Sequence, residues 1–339
     1  MKIMTTKVYT FPKEFVWRRL HSLFGLWIVI FLIEHMLTNS QAALLFGENG
    51  DGFIRAVNFL KHLPYLPVIE IVLLGVPILF HGVWGIKVLM TSKMNSFPGK
   101  GNHPSLTKYK RNHAYSWQRI TSWILLIGII AHVGYMRFYM YPASVNVGDH
   151  SYYFVRVGMD PGLYTVADRL GVKLYDQSEI EEAKREVHFA AEHLEQTVQE
   201  ARTIQEKSTE PYFYKEETAE ILKKYQTLED KEAWLQGLTK RKPSHDEVIA
   251  ESPDFGTAVL LVVRDSFRSV FKSILYTIFV IAAVYHGFNG LWTFMITWGI
   301  VLKMRSQSKA VNWCVGIMLL VGFLGLASIW GTYFINLRN

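Results

Sequence analysis

The sequence ITSWILLIGIIAHVGYMRFYMY, from Ile120 to Tyr141, decides the fold class, because it is an apolar run of membrane-spanning length. A helix needs about 20 mostly apolar residues to cross the hydrocarbon core of a bilayer. This run holds His132 near its middle, and an ionisable side chain at such a depth is costly and marks function. We therefore expect a membrane helix that carries a functional histidine.

Four further segments are long and apolar enough to span a membrane, and aromatic residues suited to the headgroup zone flank several of them. The sequence thus predicts an all-α polytopic membrane protein with five transmembrane helices in one bundle. The five predicted spans are Leu20–Thr38, Leu66–Met90, Ile120–Tyr141, Val270–Leu302 and Ala310–Ile335.

Acidic residues are concentrated in one part of the chain. Of the 29 acidic residues, 24 lie within 149–265 beside 15 Lys and Arg, whereas the remainder carries 21 bases and five acids. An apolar, acid-poor chain with one acidic segment is typical of a membrane protein with one aqueous domain. The bases flank apolar runs and form no stripe on a soluble face, so nucleic acid is not an expected partner.

The acidic segment is predicted to be a charged, mainly helical insert between helices three and four. Its sequence from about Ser178 to Glu229 is rich in Glu, Lys, Ala and Gln and is broken near Pro211. A helical hairpin with solvated faces is the simplest interpretation, and a docking surface for another protein is the alternative. The predicted domains are 1–141 with helices one to three, 142–268 with the insert, and 269–339 with helices four and five.

Lysines and arginines predict the orientation in a bacterial inner membrane. Seven of them lie between the last turn of span two and the start of span three, and three lie between spans four and five, whereas the loop after span one has two, balanced by two acids. The positive-inside rule then places the N-terminus in the cytoplasm, and the insert and the C-terminus outside. The single cysteine, Cys314, excludes an internal disulfide and a thiolate-held iron–sulfur cluster.

Four of the five spans contain a histidine at or near the membrane centre, and depth sorts these into pairs. At 1.5 Å per residue, His35 and His132 lie roughly 27 and 22 Å above the cytoplasmic ends of their helices. His81 and His286 lie roughly 22–24 Å below the outer surface, on helices that run the other way. In a core about 30 Å thick, the first two share an outer layer and the other two an inner layer.

Two imidazoles from facing helices suit the axial positions of a planar haem, whereas zinc or copper usually takes three or four ligands in a compact cluster. We therefore predict two haem b groups, with His35 and His132 on the outer iron and His81 and His286 on the inner iron. With both axial positions filled, the expected role is electron transfer. Small residues near these histidines would let a flat ring approach the backbone: Gly25, Gly82, Gly85, Gly128, Gly287 and Gly290.

Haem propionates need cations or hydrogen-bond donors near the membrane surface. Arg18, Arg19, His21 and Ser22 open span one, and Trp117, Gln118, Arg119, Thr121 and Ser122 open span three. The predicted propionate contacts are Arg19, His21, Ser22 and Arg119; anchoring of the topology is the alternative role for the arginines.

These residues also carry a family pattern. The chain resembles the cytochrome b (b558-type) membrane anchor subunit of succinate dehydrogenase, in the class with a single five-helix, dihaem subunit. The match covers the membrane part, about two-thirds of the chain, and its last stretch is long and specific. The matching stretches are RRLHSLFG (Arg18–Gly25), FLIEH (Phe31–His35), P-x-LFHGVWG (Pro77–Gly85), WQRIT (Trp117–Thr121) and HGFNGLWTF-x-ITWG (His286–Gly299).

The resemblance implies the same pairing, with His35 and His132 on the distal haem and His81 and His286 on the proximal one. It implies two partner subunits, a flavoprotein that oxidises succinate and an iron–sulfur protein that passes electrons to this anchor. Electrons would cross the inner and then the outer haem to a quinone, usually menaquinone. The succinate site would lie on another subunit, and membrane lipid would surround this one.

The chain departs from the family pattern in two features. The insert of about 120 residues replaces a short outer loop, and Val284 stands where some fumarate-reducing members carry a glutamate. Glu34 and Asn39 are candidates for the quinone site. The alternatives are an anchor of fumarate reductase or of another quinone-linked dehydrogenase, and, in a different class, a haem-free transporter or scaffold.

Overall fold

The structure, a computed structural model, describes residues 12–43, 50–91, 110–207 and 214–338. Within these residues five helical segments are long and apolar enough to cross a membrane. The predicted all-α polytopic membrane protein is therefore confirmed. The spans are Lys13–Ser40, Leu66–Thr91, Arg111–Tyr139, Val270–Thr297 and Met304–Asn336.

The chain forms two compact units. One contains the described residues of 1–44, 62–134 and 270–331, and the other those of 45–61, 135–269 and 332–339. The second unit thus also includes described residues outside 142–268, which lie in 45–61, 135–141 and 332–339 and at Ser269. The domain boundaries drawn from the sequence stay a prediction.

The first unit is a helical bundle. Helices α1 and α10 are central, because α1 packs against α4, α10 and α11, and α10 also packs against α5. Most apolar side chains on the outer faces are exposed, as expected for a surface that contacts lipid tails. Its helices are α1 (Lys13–Ser40), α3 (Leu66–Ile69), α4 (Val76–Thr91), α5 (Lys110–Val133), α10 (Val270–Thr297) and α11 (Met304–Leu326), with π-helical turns at Glu70–Gly75 and Ala327–Gly331.

The second unit is built on a four-stranded antiparallel sheet with the strand order β1-β2-β4-β3. Alternate side chains of a strand point to opposite faces, and both faces are covered here. Val248 and Ala250 of β4 pack in the core formed with α6 and α9, whereas Ile249 packs in the core formed with α7 and α8. The strands are β1 (Ala143–Val147), β2 (His150–Gly158), β3 (Lys173–Tyr175) and β4 (Glu247–Ser252).

The helices of this unit include the predicted charged hairpin. Its two arms are confirmed as α7 and α8, and the predicted break at Pro211 lies outside the described residues. Two short helices from elsewhere in the chain, α2 and α12, pack against α9. The helices are α2 (Asp51–Lys61), α6 (Pro161–Leu170), α7 (Gln177–Lys207), α8 (Tyr214–Thr239), α9 (Phe255–Ser266) and α12 (Thr332–Arg338), with a π-helical segment at Gly134–Tyr139.

The sequence did not predict the sheet, although the insert is mainly helical as expected. The apolar stretch Ala258–Val263, which lies shortly before the predicted fourth span, belongs to α9. Its residues Ala258, Leu261 and Val262 are buried in the sheet core, and α9 ends before α10 begins at Val270. A short apolar run therefore marked a soluble core helix and not the first turn of a membrane span.

Asp160 joins α6 to α9 in the second unit. It is the N-cap of α6, accepting from the Leu163 N–H, and it pairs with the buried Arg264 through bonds of 2.6 and 2.9 Å. Partial burial by itself raises the carboxyl pKa, but the hydrogen bonds and positive charge of Arg264, together with the Leu163 N–H, lower the pKa of Asp160 below its ordinary value. The ionised carboxylate therefore stabilises the fold.

We expect Asp160→Asn to destabilise the second unit by about 3 kcal/mol, because it leaves the buried Arg264 without its counter-charge while an asparagine still caps α6. Since the pKa of Asp160 is lowered in the fold, its contribution is present above the unfolded carboxyl pKa of about 3.9 and is lost as the pH falls through the folded pKa. Both effects can be measured by thermal unfolding of the full chain in detergent, with proteolytic cleavage within 142–268 as the signal of unfolding.

The matched control is Asp176→Asn, at an exposed residue that caps α7 through the Glu179 N–H. Equal losses of stability in the two variants would show that capping, and not the charge pair, carries the effect of Asp160.

Candidate functional site

The bundle brings the four intramembrane histidines together in two pairs. The rings of His35 on α1 and His132 on α5 have their centroids 5.9 Å apart, with an interplanar angle of 79°. The rings of His81 on α4 and His286 on α10 have theirs 6.2 Å apart, at 81°. These are the two pairs that depth in the membrane selects.

The separation within each pair suits two imidazoles on opposite sides of one metal ion. With metal–nitrogen bonds of about 2 Å, ring centroids in that arrangement lie roughly 6 Å apart. Among the described residues, no group of three or more His, Cys, Asp or Glu side chains could hold a metal ion. Each pair thus offers two nitrogen ligands, which fits a cofactor that brings its own equatorial ligands, as haem does.

In three of the four rings, Nδ1 lies within hydrogen-bond distance of an oxygen that can accept its proton. His81 Nδ1 lies 3.0 Å from the carbonyl oxygen of His21. A carbonyl can only accept, so this nitrogen carries the proton and leaves Nε2 with a free lone pair. Such a partner on the second nitrogen is the usual device that orients a ligating histidine and raises its basicity.

Hydroxyl groups fill the same role at two further rings. His132 Nδ1 lies 3.1 Å from the Tyr276 hydroxyl. His286 Nδ1 lies 3.3 Å from the Thr121 hydroxyl and 3.4 Å from that of Ser122. A hydroxyl oxygen can accept from Nδ1–H, so both rings can present Nε2 to a metal.

His35 differs from the other three. The Asn39 amide nitrogen lies 3.4 Å from Nδ1 and 3.5 Å from Nε2, and it donates to the His35 carbonyl at 2.8 Å. These two ring contacts are long and nearly equal, so Asn39 selects neither nitrogen. It lies against the outer pair, whereas Glu34 is exposed and accepts from the Thr38 hydroxyl at 2.8 Å.

A glycine on α1 makes room for the His81 ring. A Cβ at Gly25 would lie 2.9 Å from Cε1 and 3.2 Å from Nδ1 of His81, closer than side chains normally approach. One turn earlier on α1, the ring of His21 stacks on His81 with centroids 3.9 Å apart. Thus α1 shapes the inner pair through a backbone carbonyl, a stacked ring and an absent side chain.

The predicted propionate candidates have these positions in the bundle. His21 lies against His81, and Ser22 beside it is half-buried. The Arg19 guanidinium lies over the rings of Phe15 and Trp298 at 4.9 and 5.1 Å. Arg119 is buried, with its guanidinium over the Tyr115 ring at 4.2 Å and a bond of 3.0 Å to the Tyr115 hydroxyl.

Polar residues at the start of α5 bind the helix that carries His286. Gln118 donates to the His286 carbonyl at 3.1 Å and accepts from the Asn289 amide at 2.7 Å. The sequence marked Gln118, Thr121 and Ser122 as donors near a haem edge, but the structure joins all three to His286. Asn289 and Tyr276 were missed; the signal for Tyr276 is a hydroxyl within the otherwise apolar first half of α10.

Comparison with known proteins gives one match. The chain is 36% identical over 122 residues to the succinate dehydrogenase cytochrome b558 subunit of Bacillus subtilis (strain 168), which is 36% of this chain and 54% of that protein. This similarity confirms the resemblance to a cytochrome b558 subunit of succinate dehydrogenase, whereas the dihaem class stays a prediction. The chain spans about half the length of the cytochrome b558 subunit that it matches. No family model matches, and no solved structure matches.

We expect Gly25→Ala to disrupt the inner pair, because the added methyl would lie 2.9 Å from the His81 ring. The measured result should be a lower content of one bound haem, with the other retained. Alanine is about 1 kcal/mol more favourable than glycine inside a helix, so loss of helix stability is not the expected cause.

Gly316→Ala is the matched control, since a Cβ at that exposed position of α11 meets nothing within 4 Å. Equal haem contents in the Gly25→Ala, Gly316→Ala and unsubstituted proteins would contradict the role of Gly25.

Proposed function

We propose that this protein is the dihaem cytochrome b anchor of a succinate dehydrogenase and passes electrons through two b haems to a quinone. His35 and His132 hold the outer haem, and His81 and His286 hold the inner one. The observation that carries the proposal is the presence of two histidine pairs with nearly perpendicular rings. In three of the four rings Nδ1 faces a hydrogen-bond acceptor, which leaves Nε2 for iron. The match to a cytochrome b558 subunit supports it.

Each haem, when bound, supplies an iron that takes up and releases one electron. The chain's own residues determine where these irons lie and what reaches them. With one histidine from each of two helices on its iron, each haem would have no open position for oxygen and would serve electron transfer. The carbonyl of His21 and the hydroxyls of Thr121 and Ser122 keep the inner ligands in one tautomer and orientation. Arg19 and Arg119 supply positive charge for the propionates.

The proposed partners are a flavoprotein that oxidises succinate and an iron–sulfur subunit that delivers electrons to the inner haem. Both dock on the basic cytoplasmic side of the membrane part, where the loops rich in Lys and Arg lie. The N-terminus is then cytoplasmic, and the insert and C-terminus are outside the bacterial inner membrane. The quinone, menaquinone by analogy, receives electrons at the outer haem.

The nearest alternative to this proposal is the anchor of a fumarate reductase, which would work in the direction of fumarate reduction and not of succinate oxidation. The position on α10 two residues before His286 is Val284, which is 6% exposed. A buried valine cannot relay a proton, so a proton pathway through a carboxylate at this position is absent. This favours succinate oxidation.

We expect the purified chain to contain two b-type haems, and substitutions to remove them by pairs. His81→Ala or His286→Ala should remove the inner haem, and His35→Ala or His132→Ala the outer one, because an iron that loses one of two axial ligands is held weakly. The reduced absorption spectrum and the haem-to-protein ratio measure this.

His245→Ala is the control, because its side chain is fully exposed. A colourless folded protein, or one substitution that removes both haems while the control keeps two, would contradict the assignment of pairs.

Affinity-tagged chain, purified from its native membrane, should carry covalent or tightly bound flavin, iron–sulfur absorbance and succinate:quinone reductase activity. Deletion of the charged hairpin, residues 177–239, should leave these partner subunits bound, since the proposed docking face for the partners is elsewhere in the chain. Purification with haem but without flavin would favour the anchor of another dehydrogenase.

A further inference from the structure

The hydroxyl of Tyr276 is a polar group of the bundle to which the proposed function gives no role. It lies 3.1 Å from Nδ1 of His132, and the two rings are edge to face with centroids 5.7 Å apart. Tyr276 is on α10 and His132 on α5, so the contact joins the two helices. A phenol at membrane depth needs a hydrogen-bond partner, and here that partner is a proposed iron ligand.

The packing around this contact is built for a close approach of the helices. A Cβ at Gly128, one turn before His132, would lie 2.4 Å from Cδ2 of Phe279, so only glycine admits that ring. Phe279 lies three residues after Tyr276, and its ring centroid is 5.8 Å from that of His132. Gly128 thus makes room for the Phe279 ring, and this close approach of α5 and α10 lets the Tyr276 hydroxyl contact the His132 imidazole.

The chemistry of ligation fixes the direction of the hydrogen bond. If Nε2 of His132 binds iron, Nδ1 carries the proton and the tyrosine oxygen accepts it. An acceptor on Nδ1 gives the imidazole partial anionic character and makes it a stronger donor to the metal. A stronger donor stabilises ferric iron more than ferrous iron, which lowers the reduction potential.

We propose that Tyr276 is a positioning residue of the outer haem, which holds His132 in the iron-binding tautomer and lowers the potential of that haem. This inference rests on the proposed ligation by His132. The inner haem has no equivalent device on a side chain of α10, because His81 donates to a backbone carbonyl and His286 faces hydroxyls of α5. One side chain therefore acts on one of the two potentials.

The test is Tyr276→Phe in the full chain, which removes the hydroxyl and keeps the ring. Redox titration of the reduced absorption band should show the potential of one haem shifted upward, with two haems per chain retained. Introducing the same change beside His81→Ala, which lacks the inner haem, identifies the shifted haem as the outer one. The oxidised protein should also show an altered electron paramagnetic resonance signal for that haem.

The matched control is Tyr285→Phe, which removes a hydroxyl from the same helix next to His286. It should leave the outer potential unchanged. Unchanged potentials in Tyr276→Phe, or an equal shift of the outer potential in both variants, would overturn the role of Tyr276. If the unsubstituted chain binds no haem, the proposed function itself fails; two haems with no effect of Tyr276→Phe overturn this inference alone.

A second measurement does not depend on the variant folding. In the unsubstituted protein labelled with ¹³C-tyrosine, the infrared difference between oxidised and reduced states should contain a tyrosine C–O band that shifts with the label. That band should follow the potential of the outer haem. A difference spectrum without any tyrosine band would overturn the proposal.

Discussion

The membrane part of this protein depends on the cost of placing an imidazole in hydrocarbon. No water is available there to hydrogen-bond its two nitrogens, so each nitrogen needs a partner within the bundle. Four helices each contribute one such ring, and no single helix can supply all the partners. The rings therefore have to come from different helices at matching levels, His35 of α1 with His132 of α5 and His81 of α4 with His286 of α10.

The partners of the rings come from backbone and side chains that other helices present. At the inner pair, α1 gives a carbonyl and a stacked ring to His81, and α5 gives hydroxyls to His286. At the outer pair, α10 gives the Tyr276 hydroxyl to His132. Glycines at 25 and 128 allow the close approaches that these contacts need. Small residues at helix interfaces thus determine the ligand geometry, and do not only tighten the packing.

The sequence predicts the level of each histidine well, because span length and a rise of 1.5 Å per residue convert position directly into depth. It predicts what touches each ring poorly. His21 reads as a polar residue near a membrane surface, and its contact with His81 depends on how α1 and α4 are rotated relative to one another. The rotation of a helix about its axis is determined by side-chain packing. In a membrane helix that is apolar on all sides, the hydrophobic periodicity of the sequence does not show which side faces the bundle.

The sheet was missed for a different reason. Strand β4 pairs with β2 across 88 intervening residues, which include α6 and β3 as well as the charged hairpin, and β3 is only three residues long. Short strands with distant partners have weak local signals, since their stability comes from pairing and burial and not from intrinsic propensity. The charged hairpin shows strong local signals, and its two arms could therefore be predicted.

The insert is tolerated between two spans because it buries its own core on both faces of its sheet. Arg241, which follows α8, donates to the carbonyls of Phe138, Tyr139 and Tyr141, at the end of the π-helical segment. Helix ends leave such carbonyls without intrahelical partners, and a guanidinium offers five donors in a fixed fork. Lengthening a loop adds little to the entropy cost of closing it. A domain that caps the preceding π-helical segment and forms two cores on its sheet can therefore occupy this connection. The contacts of α5 and α10 that hold His132 and His286 are kept.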